Sequence, residues 1–163
     1  YENWVAASAQ RDDPFYYAII ANESRRAVGV AALMRIDPAN GVIEVGSIHY
    51  APALQRTRAG TEAIYLLMRR VFDELGYRRF EWKCDCLNAA SRRAARRYGF
   101  RFEGSFRQAV VYKGRNRDTA WFSIIDSEWP RLSAGYAAWL DPTNFDANGL
   151  QRKSLGAVLT GDG

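Results

Sequence analysis

Between residues 61 and 100 the apolar period of the chain changes from helical to strand-like and back, and that alternation limits the folds open to it. From Thr61, the residues Ile64, Leu67, Met68, Val71, Phe72 and Leu75 recur at helical spacing, and Gly76 supplies a C-terminal cap. Arg79 to Cys86 then alternates strictly, with Phe80, Trp82, Cys84 and Cys86 on one face and Arg79, Glu81, Lys83 and Asp85 on the other. Asn88 can cap a second helix with Ala90, Ala94, Ala95 and Tyr98 on its inner face and Gly99 at its end. Helix, strand and helix in succession predict a mixed α/β domain.

The flanks supply the remaining strands. Phe15 to Ala21 is aromatic and β-branched, and Asn22, Glu23 and Ser24 form a turn. Ala27 to Arg35 and Val42 to Tyr50 flank Asp37-Pro38-Ala39-Asn40-Gly41, the signature of an antiparallel hairpin. After Gly99, Phe100, Phe102, Gly104 and Phe106 alternate with charged and polar residues, and Lys113-Gly114-Arg115-Asn116 turns the chain back into Thr119 to Ile125. Ser127 starts a last helix, with Pro130 in its first turn and Leu132, Tyr136 and Leu140 on one face. The expected organisation is one domain over residues 1–140 and an irregular tail over 141–163.

Composition narrows the setting. The 163 residues are 48% apolar, enough for one sizeable core. No apolar run approaches the roughly eighteen residues of a membrane span, and no secretion signal is visible at the N-terminus, so a cytoplasmic protein without membrane contact is expected. The only cysteines, Cys84 and Cys86, are too close on one extended segment to bridge without strain. With a single histidine they fall short of a zinc set, so no metal is expected. A net charge of +5 points to an anionic partner: nucleic acid, an acidic protein or a phosphorylated cofactor. The excess of Arg over Lys fits phosphate recognition and fits codon bias equally.

The segment richest in chemistry joins the strand ending at Tyr50 to the helix beginning near Thr61: Pro52-Ala53-Leu54-Gln55-Arg56-Thr57-Arg58-Ala59-Gly60-Thr61-Glu62-Ala63. A strand that delivers a loop onto a helix N-terminus aims backbone N–H groups and the positive end of the helix dipole at one point, a site for phosphate. Arg56 and Arg58 add charge there, and Gly60 admits a close backbone approach. An ordinary connection into a Thr-x-Glu helix start reads the same way.

This run resembles the acetyl-CoA loop of the GNAT N-acetyltransferases, Q/R-x-x-G-x-G/A followed by a helix beginning T-E-A. Gln55, Gly60 and Thr61-Glu62-Ala63 match, whereas Arg58 stands where the family usually has Gly. Asn88, Ser91 and Tyr98-Gly99-Phe100 are similar to the N-x-x-S...GF segment of the branch that includes ribosomal-protein N-terminal acetyltransferases of the RimJ and RimL type, and Phe102-Glu103-Gly104 and Arg107 fit it as well. The resemblance runs from about Phe15 to Trp129. It implies a GNAT fold, a mostly antiparallel mixed sheet flanked by helices. Such domains open with a strand and one or two helices ahead of the strand placed at Phe15; the chain begins with Tyr1 rather than Met, so the expectation is that residues upstream complete the acceptor groove.

The resemblance further implies direct attack of an amine on the thioester of acetyl-CoA within a ternary complex, needing a base, an oxyanion donor and help for the departing thiolate. The cofactor contacts would be Gln55, Arg56, Arg58, Ala59, Gly60 and Thr61, backbone amides from Ile48 to Tyr50, and Asn88, whose side chain can serve pantetheine, the helix cap or both. Glu44 is the first base candidate and reads equally as an ion-paired strand residue. His49 is a second base candidate, or a structural histidine at a strand end. Ser91 is the implied acid, or a helix-start hydrogen bonder. The tyrosine that many relatives carry four residues before the GF glycine is replaced by Ala95, and Cys84 is read as a small core residue.

The acceptor is a protein N-terminus, a peptide or a small-molecule amine, and the assembly a monomer or homodimer. The alternative is a non-catalytic domain that binds CoA or RNA through the Arg92-Arg93 and Arg96-Arg97 pairs.

Overall fold

The computed structural model describes residues 2–161, so what was expected of Tyr1 lies outside them. Six strands form one sheet in the order β1-β2-β3-β4-β6-β5, and the chain is organised as two compact units, Tyr1–Phe80 and Glu81–Gly163.

The first unit opens with α1 (Glu2–Ala9), followed by β1 (Phe15–Ile20), β2 (Ala27–Asp37) and β3 (Val42–Tyr50), paired antiparallel as a meander. The β2–β3 turn forms because Asp37 accepts from the Asn40 backbone N–H (3.1 Å) and side-chain amide (2.7 Å), while Gly41 takes φ +60°. α2 (Arg58–Arg69) buries Ile64, Leu67 and Met68, and a π-helical turn (Arg70–Glu74) adds Val71 and Phe72. Leu75, expected on this face, is exposed, because the wider turn ends the periodicity and Leu75 N–H bonds to the Arg70 carbonyl instead. Ala31, Ala32, Leu33, Ile43 and Val45 supply the sheet side of this core.

In the second unit, α3 (Ala89–Arg97) ends as the Gly99-Phe100 pair requires. Gly99 sits at φ +90°, Phe100 N–H reaches back to the Ala95 carbonyl at 3.0 Å, and Phe100 enters the core. Ala95 is the fully buried residue of this helix, whereas Ala90, expected inside, is exposed in the first turn. β5 (Arg101–Tyr112) and β6 (Arg115–Ile125) make an antiparallel hairpin with two register shifts; β5 is an edge strand exposed along almost its whole length, so Phe102 and Phe106 are exposed where the alternation put them inside.

A 3₁₀ turn (Asp126–Glu128) leads into α4 (Trp129–Leu140), which buries Trp129, Leu132, Tyr136 and Trp139; the Tyr136 hydroxyl donates to the Tyr98 carbonyl at 3.1 Å. The stretch expected to be irregular after 140 instead forms a 3₁₀ turn (Pro142–Asn144) and α5 (Leu155–Thr160). Leu155 and Leu159 hold α5 against α4, and a Cβ on Gly135 would stand 2.6 Å from Leu159 Cδ2, so any larger residue there would make the leucine side chain shift.

β4 (Arg79–Asp85) runs through the middle of the sheet order. Its supposed polar face is also covered: Glu81 and Lys83 pair at 2.7 Å with both side chains mostly buried, and the Lys83 ammonium lies 3.8 Å from the centre of the Trp121 ring.

Candidate functional site

In the first unit the site begins at a bulge in β3. Val30 pairs with His49 and Ala32 with Gly46, so Ser47 and Ile48 together face Ala31. Ser47 takes φ +48° to accommodate the extra residue. The bulge interrupts the β2–β3 ladder just ahead of the Ile48 to Tyr50 backbone singled out as an amide donor set.

The connection that follows is held by its own side chains. Gln55 Nε2 donates to the Tyr50 carbonyl at 3.0 Å, the Tyr50 hydroxyl donates to the Gly60 carbonyl at 2.8 Å, and the Thr57 hydroxyl donates to the Leu54 carbonyl at 2.8 Å. Thr57 is the N-cap, its Oγ1 accepting from Gly60 N–H at 3.0 Å, so α2 starts at Arg58, three residues before the expected Thr61. Thr61 is buried one turn inside, with its hydroxyl 3.3 Å from the Thr57 carbonyl.

Gly60 is required for an internal reason. A Cβ there would meet the Leu54 carbonyl oxygen at 2.6 Å and the Tyr50 ring at 3.1 Å. The close approach is of the loop onto the helix, where sequence reasoning assigned it to a ligand. The amides of Arg58 and Ala59 lead the helix, and the side chains of Gln55, Arg56 and Arg58 are exposed around them, Arg56 at φ +61°. The helix dipole and the first-turn amides meet at this end of α2, and the exposed Arg56 and Arg58 lie in the same short segment, a combination that suits a phosphate.

Of the base candidates, Glu44 is buried, and Arg35 Nη1 lies 2.7 Å from its Oε2. His49 is exposed near the end of β3.

The second unit brings Asn88, Ser91, Trp82 and Cys84 together at the start of α3. Asn88 Oδ1 caps the helix by accepting from Ser91 N–H at 3.0 Å, which leaves the donor end of its amide for other work. The Ser91 hydroxyl is half-buried and accepts from Trp82 Nε1 at 2.9 Å. Cys84 is buried beside it, and burial pushes its thiol above the ordinary range, with a Ser91 hydrogen bond acting in the opposite sense.

Two partners escaped sequence reasoning, Arg35 for Glu44 and Trp82 for Ser91. Neither adjoins its partner in sequence, and only the strict alternation of β4, which put Trp82 and Cys84 on one face, hinted at the second. The arginine pairs of α3 are largely engaged: Arg92 donates to the Cys86 carbonyl at 3.2 Å, and Arg96 and Arg97 lie over the rings of Phe102 and Tyr98. Phe106 and Tyr112 are exposed, and Phe106 stacks on Trp121 with centroids 4.5 Å apart. Among the described residues no group of three or more His, Cys, Asp or Glu is placed to hold a metal ion, and no helix is long and apolar enough to cross a membrane.

A family model described as an acetyltransferase (GNAT) domain matches residues 1–101. The structure of a GCN5-related N-acetyltransferase from Brucella melitensis superposes with a TM-score of 0.95 at 57% identity, covering 98% of this chain and 72% of that one. A probable acetyltransferase of the GNAT family from Chromobacterium violaceum ATCC 12472 superposes with a TM-score of 0.73 at 49% identity, covering 78% of this chain and 64% of the other.

Proposed function

The chain belongs to the GNAT acetyltransferase family, and from that premise we propose that it transfers an acetyl group from acetyl-CoA to a primary amine. The observation that carries the reading is the continuous run of bulge, loop and helix start from Ser47 to Gly60, which ends in an exposed, cationic, dipole-aligned helix N-terminus. A pyrophosphate finds there the amides of Arg58 and Ala59 and the side chains of Gln55, Arg56 and Arg58. Gly60 and Thr61 act from beneath, shaping the loop and the first turn.

In the proposed reaction the amine nitrogen attacks the thioester carbon, the carbonyl oxygen takes up charge, and the C–S bond breaks with its electron pair on sulfur. Backbone N–H groups from Ile48 to Tyr50 receive the pantetheine and the oxyanion. The Asn88 amide donates to pantetheine while its oxygen caps α3. Ser91 donates a hydrogen bond to the sulfur as charge develops. Proton removal from the amine falls to His49, exposed at the strand end, or to water, since one Glu44 oxygen already holds Arg35. Binding both partners in line supplies much of the acceleration.

The Asn88, Ser91 and Gly99-Phe100 pattern bears on the cofactor half of the site, and the acceptor classes are a protein N-terminus, a peptide or a small-molecule amine. The engaged arginines of α3 weigh against a non-catalytic RNA-binding role. The test is CoA release from acetyl-CoA, read with a thiol reagent, against N-terminal peptides, polyamines and amino acids. Release with peptides above all supports the full reading; release with none of the three classes overturns it.

A further inference from the structure

We propose that Trp82 is a positioning residue for the transfer step: its indole N–H fills an acceptor site on the Ser91 hydroxyl and thereby reserves the hydroxyl proton for the departing sulfur. The inference rests on the assignment of Ser91 as the donor to that sulfur.

A serine hydroxyl carries one proton and two acceptor lone pairs and rotates to suit its surroundings. Left alone in a helix first turn, it tends to turn toward the backbone. Indole N–H has no acceptor character, so the 2.9 Å contact has one sense only: Trp82 donates and Ser91 accepts. The proton must then point away from Trp82. Cys84, the other neighbour, can take a hydrogen bond from this hydroxyl, but burial keeps its thiol protonated, and a protonated thiol is a weaker acceptor than the thiolate that forms on the departing sulfur.

Both ends of the contact are fixed. The Trp82 ring is buried and clamped by Tyr98 and Phe100, with centroids 5.9 and 5.6 Å away. The Ser91 backbone is tied to Asn88 at 3.0 Å, while its side chain stays partly open. A hydroxyl that accepts from one donor is also polarised toward giving its own proton. The balance of the step is unchanged: C–N forms, C–S breaks, the pair goes to sulfur, and the amine proton leaves to base or water. Ser91 lends a hydrogen bond that strengthens as sulfur gains charge.

The test compares Ser91→Ala, Trp82→Phe and their combination by steady-state kinetics with acetyl-CoA and the best acceptor. Trp82→Phe keeps an aromatic ring and removes the donor; incorporation of 3-benzothienylalanine at position 82 removes the N–H with almost no change of shape and decides the matter if the Phe variant is unstable. We expect Ser91→Ala to lower kcat by about 10²-fold and the N–H-free variants by on the order of tenfold, with the KM for acetyl-CoA within about twofold of wild type. In the Ser91→Ala background, loss of the N–H should cost nothing more. If Ser91→Ala loses activity while the benzothienyl variant keeps wild-type kcat, the positioning role is wrong and the donor assignment survives. If the benzothienyl variant loses equally with and without Ser91, Trp82 acts by packing and the inference fails. If Ser91→Ala is fully active, the donor assignment itself is overturned and this inference with it.

Discussion

Arg35 Nη1 stands 2.7 Å from Glu44 Oε2, with the Glu44 side chain 4% exposed and the Arg35 side chain 59% exposed. One partner is thus buried and the other reaches it from solvent. Removing the arginine leaves a carboxylate inside without that partner, whereas Glu44→Gln removes the charge and keeps the shape. Arg35→Ala should lower stability by about 1–2 kcal/mol, discounted for its exposed head. Glu44→Gln should cost a similar or smaller amount in urea unfolding and leave kcat within about threefold of wild type. A collapse of kcat with unchanged stability would make Glu44 the base.

Gly60→Ala places a methyl 2.6 Å from the Leu54 carbonyl oxygen, a contact no rotamer can relieve. Backbone must move, and with it the loop from Gln55 to Arg58. The expected loss is about 1–3 kcal/mol in denaturant unfolding, accompanied by weaker acetyl-CoA binding. Unchanged values for both would mean the junction is not as tightly folded as described.

Asn88 allows the cap and the proposed ligand contact to be separated. Asn88→Ala removes the bond to Ser91 N–H and should cost about 1 kcal/mol. Asn88→Asp keeps an acceptor at the cap but deletes the amide donor. Its midpoint in thermal unfolding should match wild type while its KM for acetyl-CoA rises several-fold; an unchanged KM would confine Asn88 to capping.

The two thiols should react in a fixed order. Cys84 is buried and its thiol is pushed above the ordinary range by that burial, whereas Cys86 is only half-buried. Because the thiolate is the reactive form, Cys86 should be alkylated first at neutral to mildly alkaline pH. For Cys84 the folded state favours the protonated form. Its contribution to stability is therefore complete below the unfolded thiol range and lost as pH rises through the folded one. Mass-spectrometric mapping of partial labelling reads the order directly; equal rates would contradict it.

Much of this architecture was legible in sequence because periodicity reports which face is buried. The strands at Phe15, Ala27, Val42 and Arg79, the helix capped by Asn88 and the Gly99-Phe100 stop lie where period and capping residues put them. The failures have local physical causes. Thr57 outcompeted the Thr61 region as the start of α2, because its hydroxyl can both cap Gly60 and anchor Leu54. Phe102 and Phe106 are exposed because β5 is left at the edge of the sheet, which an alternating sequence does not announce. The segment after 140 looked irregular because α5 is short and shows only Leu155 and Leu159 to the interior.

Among candidate site residues, a residue's place along the chain could be read but its partner could not. Glu44 reads as a lone strand carboxylate until Arg35 is seen across the hairpin, and Ser91 reads as a helix-start hydroxyl until Trp82 is seen beneath it. Side-chain pairing between distant positions is decided by register and packing, and a single sequence carries little of either.

Isothermal titration of acetyl-CoA into wild type and the Arg56→Ala, Arg58→Ala double variant decides whether acetyl-CoA binds with its phosphates on the loop from Gln55 to Gly60. The wild type should bind saturably, with a Kd in about the micromolar to millimolar range usual for enzyme substrates. Binding should weaken by about tenfold or more in the double variant, each guanidinium to phosphate contact being a charge-assisted hydrogen bond. No binding by the wild type, or equal affinity in the double variant with its fold intact, would contradict it.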